Sequence, residues 1–282
     1  MTTWFITGAS RGFGLEIARQ ALKRGDKVVA TARKPEDVQD ALSEHGDSLL
    51  AVALDVTDEA QAREAAEAAV ERFGTIDVLV NNAGRGVLGA VEETSDAAIR
   101  AVYDTNVFGL VNVTRAVLPV MRRQRSGRIL NLSSIGGFES VAGFGVYCST
   151  KFAVEGLSEA MRAELAPLRI RVTIVEPGYF RTDFLDATSL HTEGQVISDY
   201  AETAGVVRQV VPGLNHAQPG DPVKGAAAIL ALADAANPPL RAQLGSDSVA
   251  AMDRKIAELR EETDTWRELG MSTDHDDAKV TI

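Results

Sequence analysis

Short apolar segments alternate with longer helical segments along the first two thirds of the chain, and this alternation restricts the possible folds more than any other feature. The apolar segments have the length of strands, and the segments between them repeat apolar residues at helical spacing, as Leu15, Ala18 and Leu22 do. Strands that are apolar throughout are typical of a parallel sheet with helices on both faces. The sequence therefore predicts an α/β fold with a doubly wound parallel sheet. The six predicted strands are residues 4–6, 27–32, 48–54, 76–80, 128–132 and 170–175.

The chain after Pro177 departs from this alternation. Residues 183–222 contain several glycines and prolines, and a long insertion of this kind is typical of a lid over a binding site. We therefore interpret residues 183–222 as a substrate lid and residues 246–282 as a C-terminal helix followed by a polar tail. No repeat or linker divides the sequence, so we expect a single domain over residues 1–282. The predicted helices are residues 12–24, 58–73, 96–101, 104–124, 147–165, 223–235 and 247–269.

The composition argues against several classes of protein. The chain carries 40 Asp and Glu against 29 Lys and Arg, a formal net charge of -11, which disfavours general nucleic-acid binding. Its four histidines are scattered without ligand spacing, so we expect no metal site. No apolar run approaches the roughly 20 residues of a membrane-spanning helix. A single cysteine, Cys148, and the lack of a basic segment before the first apolar residues predict a cytoplasmic protein.

A glycine-rich turn, residues 7–14 (TGASRGFG), joins the first predicted strand to the first helix. Gly8, Gly12 and Gly14 allow a tight turn and let a pyrophosphate approach the backbone at a helix N-terminus, where free N–H groups favour anions. The position of the turn within a strand–turn–helix unit indicates a Rossmann-like nucleotide-binding fold. Glycine turns also occur for packing alone, so this motif by itself leaves both interpretations open.

Further motifs follow in order along the chain: Asp55 in Leu-Asp-Val, residues 81–84 (NNAG), Asn106, Ser134, Tyr147 with Lys151, Pro177-Gly178, and Thr182. Together with the glycine spacing, this set resembles the short-chain dehydrogenase/reductase (SDR) family in its single-domain branch, over residues 3–182. The resemblance implies an oxidoreductase that moves a hydride between a nicotinamide cofactor and a carbonyl or alcohol carbon. The glycine spacing disfavours the epimerases and dehydratases of the extended branch.

The charges near the second strand favour NADP(H) as the cofactor. NAD-specific enzymes place an acidic residue at the end of this strand, where it binds the ribose hydroxyls. Ala32 occupies that position here, and Arg33 and Lys34 follow it, while the glycine turn supplies Arg11. Guanidinium groups bind phosphate through charge-assisted hydrogen bonds, so we expect Arg11 and Arg33 beside the 2′-phosphate. The alternative is that Arg33 and Lys34 are a solvated strand end.

The resemblance implies a full set of cofactor contacts. Asp55 and Val56 would hold the adenine, and Thr182 with the Phe180 backbone would hold the carboxamide, while Lys151 would bind the nicotinamide ribose. The predicted cofactor-binding residues are Gly8, Ser10, Arg11, Gly12, Phe13, Gly14, Arg33, Asp55, Val56, Asn82, Ala83, Gly84, Tyr147, Lys151, Pro177, Gly178, Phe180 and Thr182.

Tyr147 and Lys151 lie one helical turn apart on the same face of a predicted helix. A lysine ammonium beside a phenol would bring the tyrosine pKa from near 10 toward neutrality, as proton exchange with a substrate oxygen requires. The resemblance implies that Ser134 binds the substrate oxygen and that Asn106 joins Lys151 through water in a proton relay. Ser133 is a rival for the hydroxyl role, although the family spacing favours Ser134. The predicted catalytic residues are therefore Asn106, Ser134, Tyr147 and Lys151.

The segments expected around the substrate, residues 85–93, 135–146 and 179–222, are largely apolar. They predict a small hydrophobic carbonyl or alcohol substrate and, most simply, a ketone or aldehyde reductase that uses NADP(H). The chain is loosely similar to 17β-hydroxysteroid and retinol dehydrogenases. Family members pair through the helices that hold Asn106 and Tyr147, so the resemblance implies a homodimer or homotetramer. The alternative function is a non-catalytic NADP(H)-binding redox sensor or scaffold. The apolar residues expected to line the pocket are Val87, Leu88, Phe138, Val141, Phe144, Tyr179, Phe184, Leu185, Leu190 and Val196.

Overall fold

A parallel sheet of seven strands lies at the centre of the molecule, and this confirms the predicted doubly wound α/β fold. The computed structural model describes residues 1–275 and residue 278. The strands are β1 (Thr3–Thr7), β2 (Lys27–Ala32), β3 (Leu49–Ala53), β4 (Val78–Asn81), β5 (Gly86–Leu88), β6 (Gly127–Leu132), β7 (Ile170–Pro177), β8 (Leu190–Thr192) and β9 (Arg241–Leu244). The central sheet has the order β3-β2-β1-β4-β6-β7-β9, so the direction of growth reverses between β1 and β4.

Helices cover both faces of this sheet. Successive side chains of a strand point to opposite faces, so Trp4 and Ile6 pack beneath α1, α2 and α8, whereas Phe5 packs on the other side with α3 and α5. All three side chains are fully buried. The helices are α1 (Gly12–Lys23), α2 (Pro35–Leu42), α3 (Glu59–Phe73), α4 (Asp96–Tyr103), α5 (Leu110–Gln124), α6 (Gly145–Leu165), α7 (Ala204–Leu214), α8 (Pro222–Asp234) and α9 (Ser246–Met271).

Several elements differ from the sequence-based expectation. The predicted helix over 104–124 is interrupted, because residues 104–109 form a π-helical turn that holds Asn106 between α4 and α5. The short polar strand β9 completes the sheet beside β7, where Val175 pairs with Ala242. It escaped prediction because its sequence, RAQL, lacks the apolar character of the other strands. The helix α2 was missed as well.

The insertion over 183–222 packs on the body of the protein through a small core of its own. β8, within the insertion, pairs in parallel with β5 to form a separate two-stranded sheet. Leu88, Leu190 and Val211 share a buried cluster with Phe144 and Tyr147. Val87, Leu88 and Leu190 belong to this core. The prediction that they line the cavity is therefore wrong. Their burial attaches the insertion to the first turn of α6.

The helix α9 ends the described part of the chain. It begins directly after β9 and continues to Met271, two residues beyond the predicted end. The polar tail predicted from residue 270 lies in part outside the described residues, at 276–277 and 279–282. In the portion of the chain that the structure describes, no helix combines the length and the apolar character needed to cross a membrane.

Candidate active site

A cavity of about 890 Å³ opens at the carboxyl ends of the strands, beside the point where the strand order reverses. Ligands of doubly wound proteins bind at such a point, because the loops from neighbouring strands separate there. Every predicted site residue except Gly14 and Asn106 lines this cavity. These two residues lie directly behind its wall, within the glycine turn and the π-helical turn.

The glycine turn is held to the loop after β4 by Thr7 and Asn82. The Asn82 side-chain amide donates hydrogen bonds of 2.8 and 3.0 Å to the carbonyl oxygens of Thr7 and Gly8. The Thr7 hydroxyl accepts from the backbone N–H groups of Asn82 and Ala83, each at 3.0 Å. A Cβ at Gly14 would collide with the Gly8 carbonyl, so only glycine permits this close approach of the two backbones.

The N-terminus of α1 faces the cavity without a side-chain cap. Arg11 occupies the cap position in an extended conformation, and its side chain makes no capping hydrogen bond. The first N–H groups of a helix have no intrahelical partner, so those of α1 are available to bind an anion. Gly12, at φ 55°, lies close to Thr182 across the cavity. This cradle fits a pyrophosphate.

The guanidinium of Arg11 contacts the insertion over 183–222. It donates hydrogen bonds of 2.7 Å to the Thr188 hydroxyl and 2.8 Å to the Ser189 hydroxyl. The Arg11 side chain is therefore held by this insertion in the structure, and its place beside a 2′-phosphate stays a prediction. The two hydroxyls accept hydrogen bonds from Arg11 although they lie 177 and 178 residues after it. The local sequence around Arg11 does not reveal such distant acceptors.

Arg33 lies at the carboxyl end of β2, exposed and on the cavity wall. It makes no ion pair with any described residue, while the preceding Ala32 is buried and offers no carboxylate. Asp55 lies on the same wall, and its Oδ1 accepts from the backbone and the hydroxyl of Thr57 at 3.0 and 2.8 Å. An uncompensated guanidinium at this point would favour an additional phosphate.

Tyr147, in the first turn of α6, is 8% exposed. Its ring centre lies 5.3 Å from that of Phe184 in the insertion over 183–222. Burial raises the pKa of Tyr147 above its usual value, and a hydrogen bond with the Ser134 hydroxyl acts in the opposite direction. The Ser134 oxygen also accepts from the backbone N–H of Gly136 at 3.0 Å. The expected shift of this pKa toward neutrality is therefore absent here, because burial dominates. The phenol is a neutral proton donor at ordinary pH, with a hydroxyl beside it.

Lys151 lies one turn after Tyr147, and its ammonium donates a 2.7 Å hydrogen bond to the carbonyl oxygen of Leu132. Burial lowers the pKa of Lys151 to about 8, and the charge of Glu155 opposes that shift. Asn106 is held by Arg85 and Thr150: its amide donates to the Arg85 carbonyl at 2.9 Å and to the Thr150 hydroxyl at 3.0 Å.

Gly84 marks a gap between Asn106 and Lys151. A Cβ placed on Gly84 would lie 3.4 Å from Asn106 Oδ1 and 3.8 Å from Lys151 Nζ. The side chains that the sequence places in one proton relay thus face the same small space, which only the lack of a side chain at residue 84 keeps open.

The two neighbouring serines point in different directions. Gly137 packs closely on the Ser133 hydroxyl and on the Glu155 carboxylate, and Ser133 acts on the pKa of Glu155. Ser134, in contrast, acts on Tyr147. The structure therefore places the Ser134 hydroxyl, and not that of Ser133, at the phenol.

A buried acid pair below Lys151 was not anticipated from the sequence. Glu155 and Glu176 are 6% and 0% exposed, and Arg241 of β9 lies 3.0 Å from Glu155 and 3.5 Å from Glu176. Burial and the charge of Glu155 raise the pKa of Glu176 to about 7. The pair is formed by β7, β9 and α6, so no local sequence pattern could indicate it.

Two further polar residues at the cavity escaped the sequence analysis. Asp247, at the start of α9, accepts a 2.7 Å hydrogen bond from the backbone N–H of Tyr179 and so fixes the loop after β7. Gln218 is 2% exposed and lines the cavity, yet neither atom of its side-chain amide has a hydrogen-bond partner among the described residues. A buried unpaired amide of this kind suits contact with a bound ligand.

Asp183, Asp186 and His216 form the single group of potential metal ligands found in the described residues, with ligand atoms within 4.8 Å of one another. His216 Nε2 lies 3.8 and 3.7 Å from the two carboxylates, and Asn215 donates to Asp186 at 2.7 Å. Contacts within the group thus account for its arrangement, and we assign no metal to it.

Comparison with known proteins agrees with this geometry. Residues 2–193 match the family model described as short chain dehydrogenase. The chain is 39% identical to oxidoreductase BOA17 of Botryotinia fuckeliana over 96% of its length and 98% of that protein. It is also 39% identical to a 3-ketodihydrosphingosine reductase of Bacteroides thetaiotaomicron, over 85% and 86% of the two chains. A short-chain dehydrogenase from Streptomyces avermitilis has a similar structure, with a TM-score of 0.90, 42% identity, and coverage of 97% and 100%.

Members of this family are oxidoreductases that bind a nicotinamide cofactor, and the residues lining the cavity fit that chemistry. The family model covers the whole strand–helix unit from β1 to β8. The similarity to BOA17 and to the Streptomyces structure extends further, through β9 into α9. This chain therefore belongs to the short-chain dehydrogenase/reductase family.

Proposed function

We propose that this protein is an NADP(H)-dependent reductase of ketones or aldehydes on hydrophobic substrates. The observation that carries the proposal is the buried Tyr147 phenol, which faces the cavity beside the Ser134 hydroxyl and one turn before the Lys151 ammonium. A redox sensor or scaffold would need the nucleotide cradle but has no use for a proton donor with these neighbours.

The choice of NADP(H) rests on Arg33. Its exposed guanidinium, free of ion pairs with described residues, follows an alanine where an acidic residue would repel a 2′-phosphate. A serine dehydrogenase that is 30% identical over 86% of this chain was solved with NADP+. A 3-ketoacyl-(acyl-carrier-protein) reductase from Brucella melitensis, 29% identical, was solved with NADH. Because similar proteins have been solved with either cofactor, the local charge at Arg33 is the stronger argument.

Each of four side chains has a separate role in the proposed reduction. When bound, NADPH supplies the hydride. The Ser134 hydroxyl holds the substrate oxygen, and Tyr147 donates the proton that this oxygen needs as it becomes an alcohol. Lys151 supplies positive charge close to the phenol. This charge stabilises the phenolate that remains after Tyr147 has donated its proton. Asn106 and the gap at Gly84 would connect Lys151 to solvent for reprotonation.

The cavity wall around Tyr147 supports a hydrophobic substrate. Val141, Phe144, Phe184 and Leu185 line this part of the cavity, and aromatic and aliphatic walls favour apolar ligands. The relatives include a rat retinol dehydrogenase, 39% identical over 73% of this chain and 65% of that protein. Glu139 and Arg254, which also line the cavity, contact each other at 3.1 Å.

A homodimer or homotetramer through α5 and α6 belongs to the same proposal. Phe108, in the π-helical turn before α5, is 57% exposed, and Phe152 on α6 is 46% exposed. Large apolar side chains on a helical face suit burial between subunits.

The proposed function is tested with a panel of ketones, aldehydes and the corresponding alcohols, followed at the nicotinamide absorbance with NADPH and with NADH. We expect turnover with NADPH and apolar carbonyl compounds, and weaker turnover with NADH. Tight NADPH binding without turnover of any compound would favour the sensor or scaffold. Equal use of the two cofactors would contradict the assignment of Arg33.

A further inference from the structure

The last helix, α9, leaves the body of the protein part-way along its length. It has 26 residues, about 39 Å at 1.5 Å per residue. Ser248 and Ala251, near its beginning, are fully buried against the body, whereas every residue from Ile256 to Met271 is exposed. A free helical segment of this length is marginally stable in water, so packing against another surface would stabilise it.

A mainly apolar stripe, which we call the seam, runs along α9 from its first turn into the exposed part. Its members are separated alternately by three and four residues, the spacing of a two-stranded coiled coil. Four of them are between 48% and 65% exposed, from Val249 at the lower limit to Trp266 at the upper, whereas Met252 is half-buried. The seam consists of Val249, Met252, Ile256, Leu259, Thr263 and Trp266.

We propose that this seam pairs, in antiparallel orientation, with the same seam of a second copy of the chain. The seam residues occupy alternately the a and d positions of a heptad. An antiparallel coiled coil places each a position of one helix opposite a d position of the other. One register satisfies this rule along the whole seam, and a two-fold axis repeats every contact. Its layers are Val249 with Trp266, Met252 with Thr263, and Ile256 with Leu259, one residue of each pair from each copy.

The charges beside the seam match this register. Antiparallel pairing brings together residues on the same flank, so Lys255 meets Glu262 of the second copy and Asp253 meets Arg260 of the second copy. Symmetry makes four attractive pairs. Within the described residues, Asp253, Arg260 and Glu262 make no ion pair, and Lys255 contacts only Glu258, one turn away at 3.1 Å.

Other arrangements of two α9 helices bring like charges together. A shift of one heptad in one direction places Arg260 against Arg260 and Glu262 against Glu262. The opposite shift places Asp253 against Asp253 and Lys255 against Lys255. Parallel pairing puts Lys255 beside Arg260 of the second copy, and this repulsion offsets the attraction that it creates between Glu262 and Arg267. The charge pattern therefore selects both the orientation and the register.

A second copy suits this surface better than a membrane does. The exposed half of α9 has more acidic than basic residues, which would repel an anionic lipid surface. In the antiparallel pair, the free half of each helix lies along the first turns of the other. Those turns include Ala250 and Arg254, which line the active-site cavity, so the second copy would lie beside the mouth of the cavity.

Charge reversal tests the pairing. We expect Lys255→Glu and Glu262→Lys each to weaken the α9 contact at least tenfold and to halve the mass measured by sedimentation at a concentration where the wild type is associated. The double variant restores that mass. Glu261→Lys, which makes the same charge change away from the seam, serves as the matched control. In a parallel pair, Lys255→Glu would strengthen association by meeting Arg260, and that result would overturn the proposal.

Fluorescence of Trp266 gives an independent measurement. The only other tryptophan, Trp4, is fully buried and provides a constant background. We expect the emission to shift to shorter wavelength with increasing protein concentration, and Lys255→Glu to abolish this shift with the helix content by circular dichroism unchanged. Emission and mass that respond neither to concentration nor to the charge variants would show that the seam does not bind a second copy.

Discussion

The ammonium nitrogen of Lys151 lies 5.9 Å from the centre of the Tyr147 ring, and both side chains are buried. Burial disfavours the charged form of each group, so it raises the pKa of the phenol and lowers the pKa of the ammonium to about 8. At neutral pH the phenol therefore keeps its proton and the lysine keeps its charge. This is the protonation state from which a carbonyl can be reduced.

Replacement of Tyr147 by phenylalanine removes the proposed proton donor without removing the ring. We expect Tyr147→Phe to lower kcat by about 10²- to 10⁴-fold, the usual contribution of general acid catalysis, with NADPH affinity within a factor of about three by fluorescence titration. Tyr179→Phe, a change on the same cavity wall, is the control and should keep most activity. Unchanged turnover in Tyr147→Phe would refute this role.

The pH dependence should follow Lys151. Its ammonium loses the proton near pH 8 in the free enzyme, so kcat/KM for NADPH, which reports the free enzyme, should fall about tenfold per unit above that pH. Lys151→Arg keeps its charge throughout this range. The variant should be less active but show no such decline, and a wild-type profile that stays flat up to pH 10 would contradict the assignment.

Arg33 should determine the cofactor preference. Loss of a hydrogen bond to a charged group costs about 1.5–3 kcal/mol, so Arg33→Ala should raise KM for NADPH roughly 10- to 100-fold. The KM for NADH should stay nearly constant because its ribose has no phosphate for Arg33 to bind. Lys34→Ala, the adjacent cation outside the cavity, is the matched control in the same steady-state measurements. Equal losses with both cofactors would indicate a structural role for Arg33.

The gap at Gly84 predicts an effect of a single methyl group. In Gly84→Ala the new Cβ makes ordinary contacts with Asn106 and Lys151, so the fold should persist while the proposed relay space is filled. We expect kcat to fall roughly 10- to 100-fold with little change in melting temperature. Gly156→Ala on α6, where a Cβ meets nothing within 4 Å, should retain full activity. A fully active Gly84→Ala would exclude a relay through this space.

The acid pair below the site predicts a pH-dependent stability. The pKa of Glu176 is about 7 in the folded protein and near 4.5 in the unfolded chain, so the folded state retains the proton between these values. The stability this provides is complete below about pH 4.5 and is lost as the pH rises through 7.

Glu176→Gln should remove the part of this dependence that Glu176 contributes and raise the free energy of unfolding at pH 8 by up to roughly 3 kcal/mol. Denaturant titrations at pH 5 and pH 8 measure it. Glu159→Gln, an exposed partner of Arg241 at 2.6 Å, is the control and should leave the pH slope as in the wild type. A pH slope in Glu176→Gln equal to that of the wild type would show that Glu176 titrates normally.

Local pattern was sufficient for the fold class. Apolar runs such as Val28 to Ala30 and helical repeats such as Ile17 and Ala21 depend on neighbours in the sequence, and all five residues in these segments are fully buried as the pattern requires. The strand β9 and the pairing of β5 with β8 could not be found in this way. Their sequences are short or polar, and they exist because β7 and the insertion over 183–222 offer them free backbone partners.

The site residues that belong to sequence motifs were predictable. The sequence by itself determined the parallel sheet, the glycine turn and the residues that meet at one cavity, because strand and helix periodicity and motif spacing are properties of neighbouring residues. Only the tertiary structure decided that Arg11 is bound by Thr188 and Ser189, and that Glu155 and Glu176 share one buried space. Such contacts join residues about 20 to 180 positions apart. Whether they form depends on the packing geometry of the entire fold, which no local pattern contains.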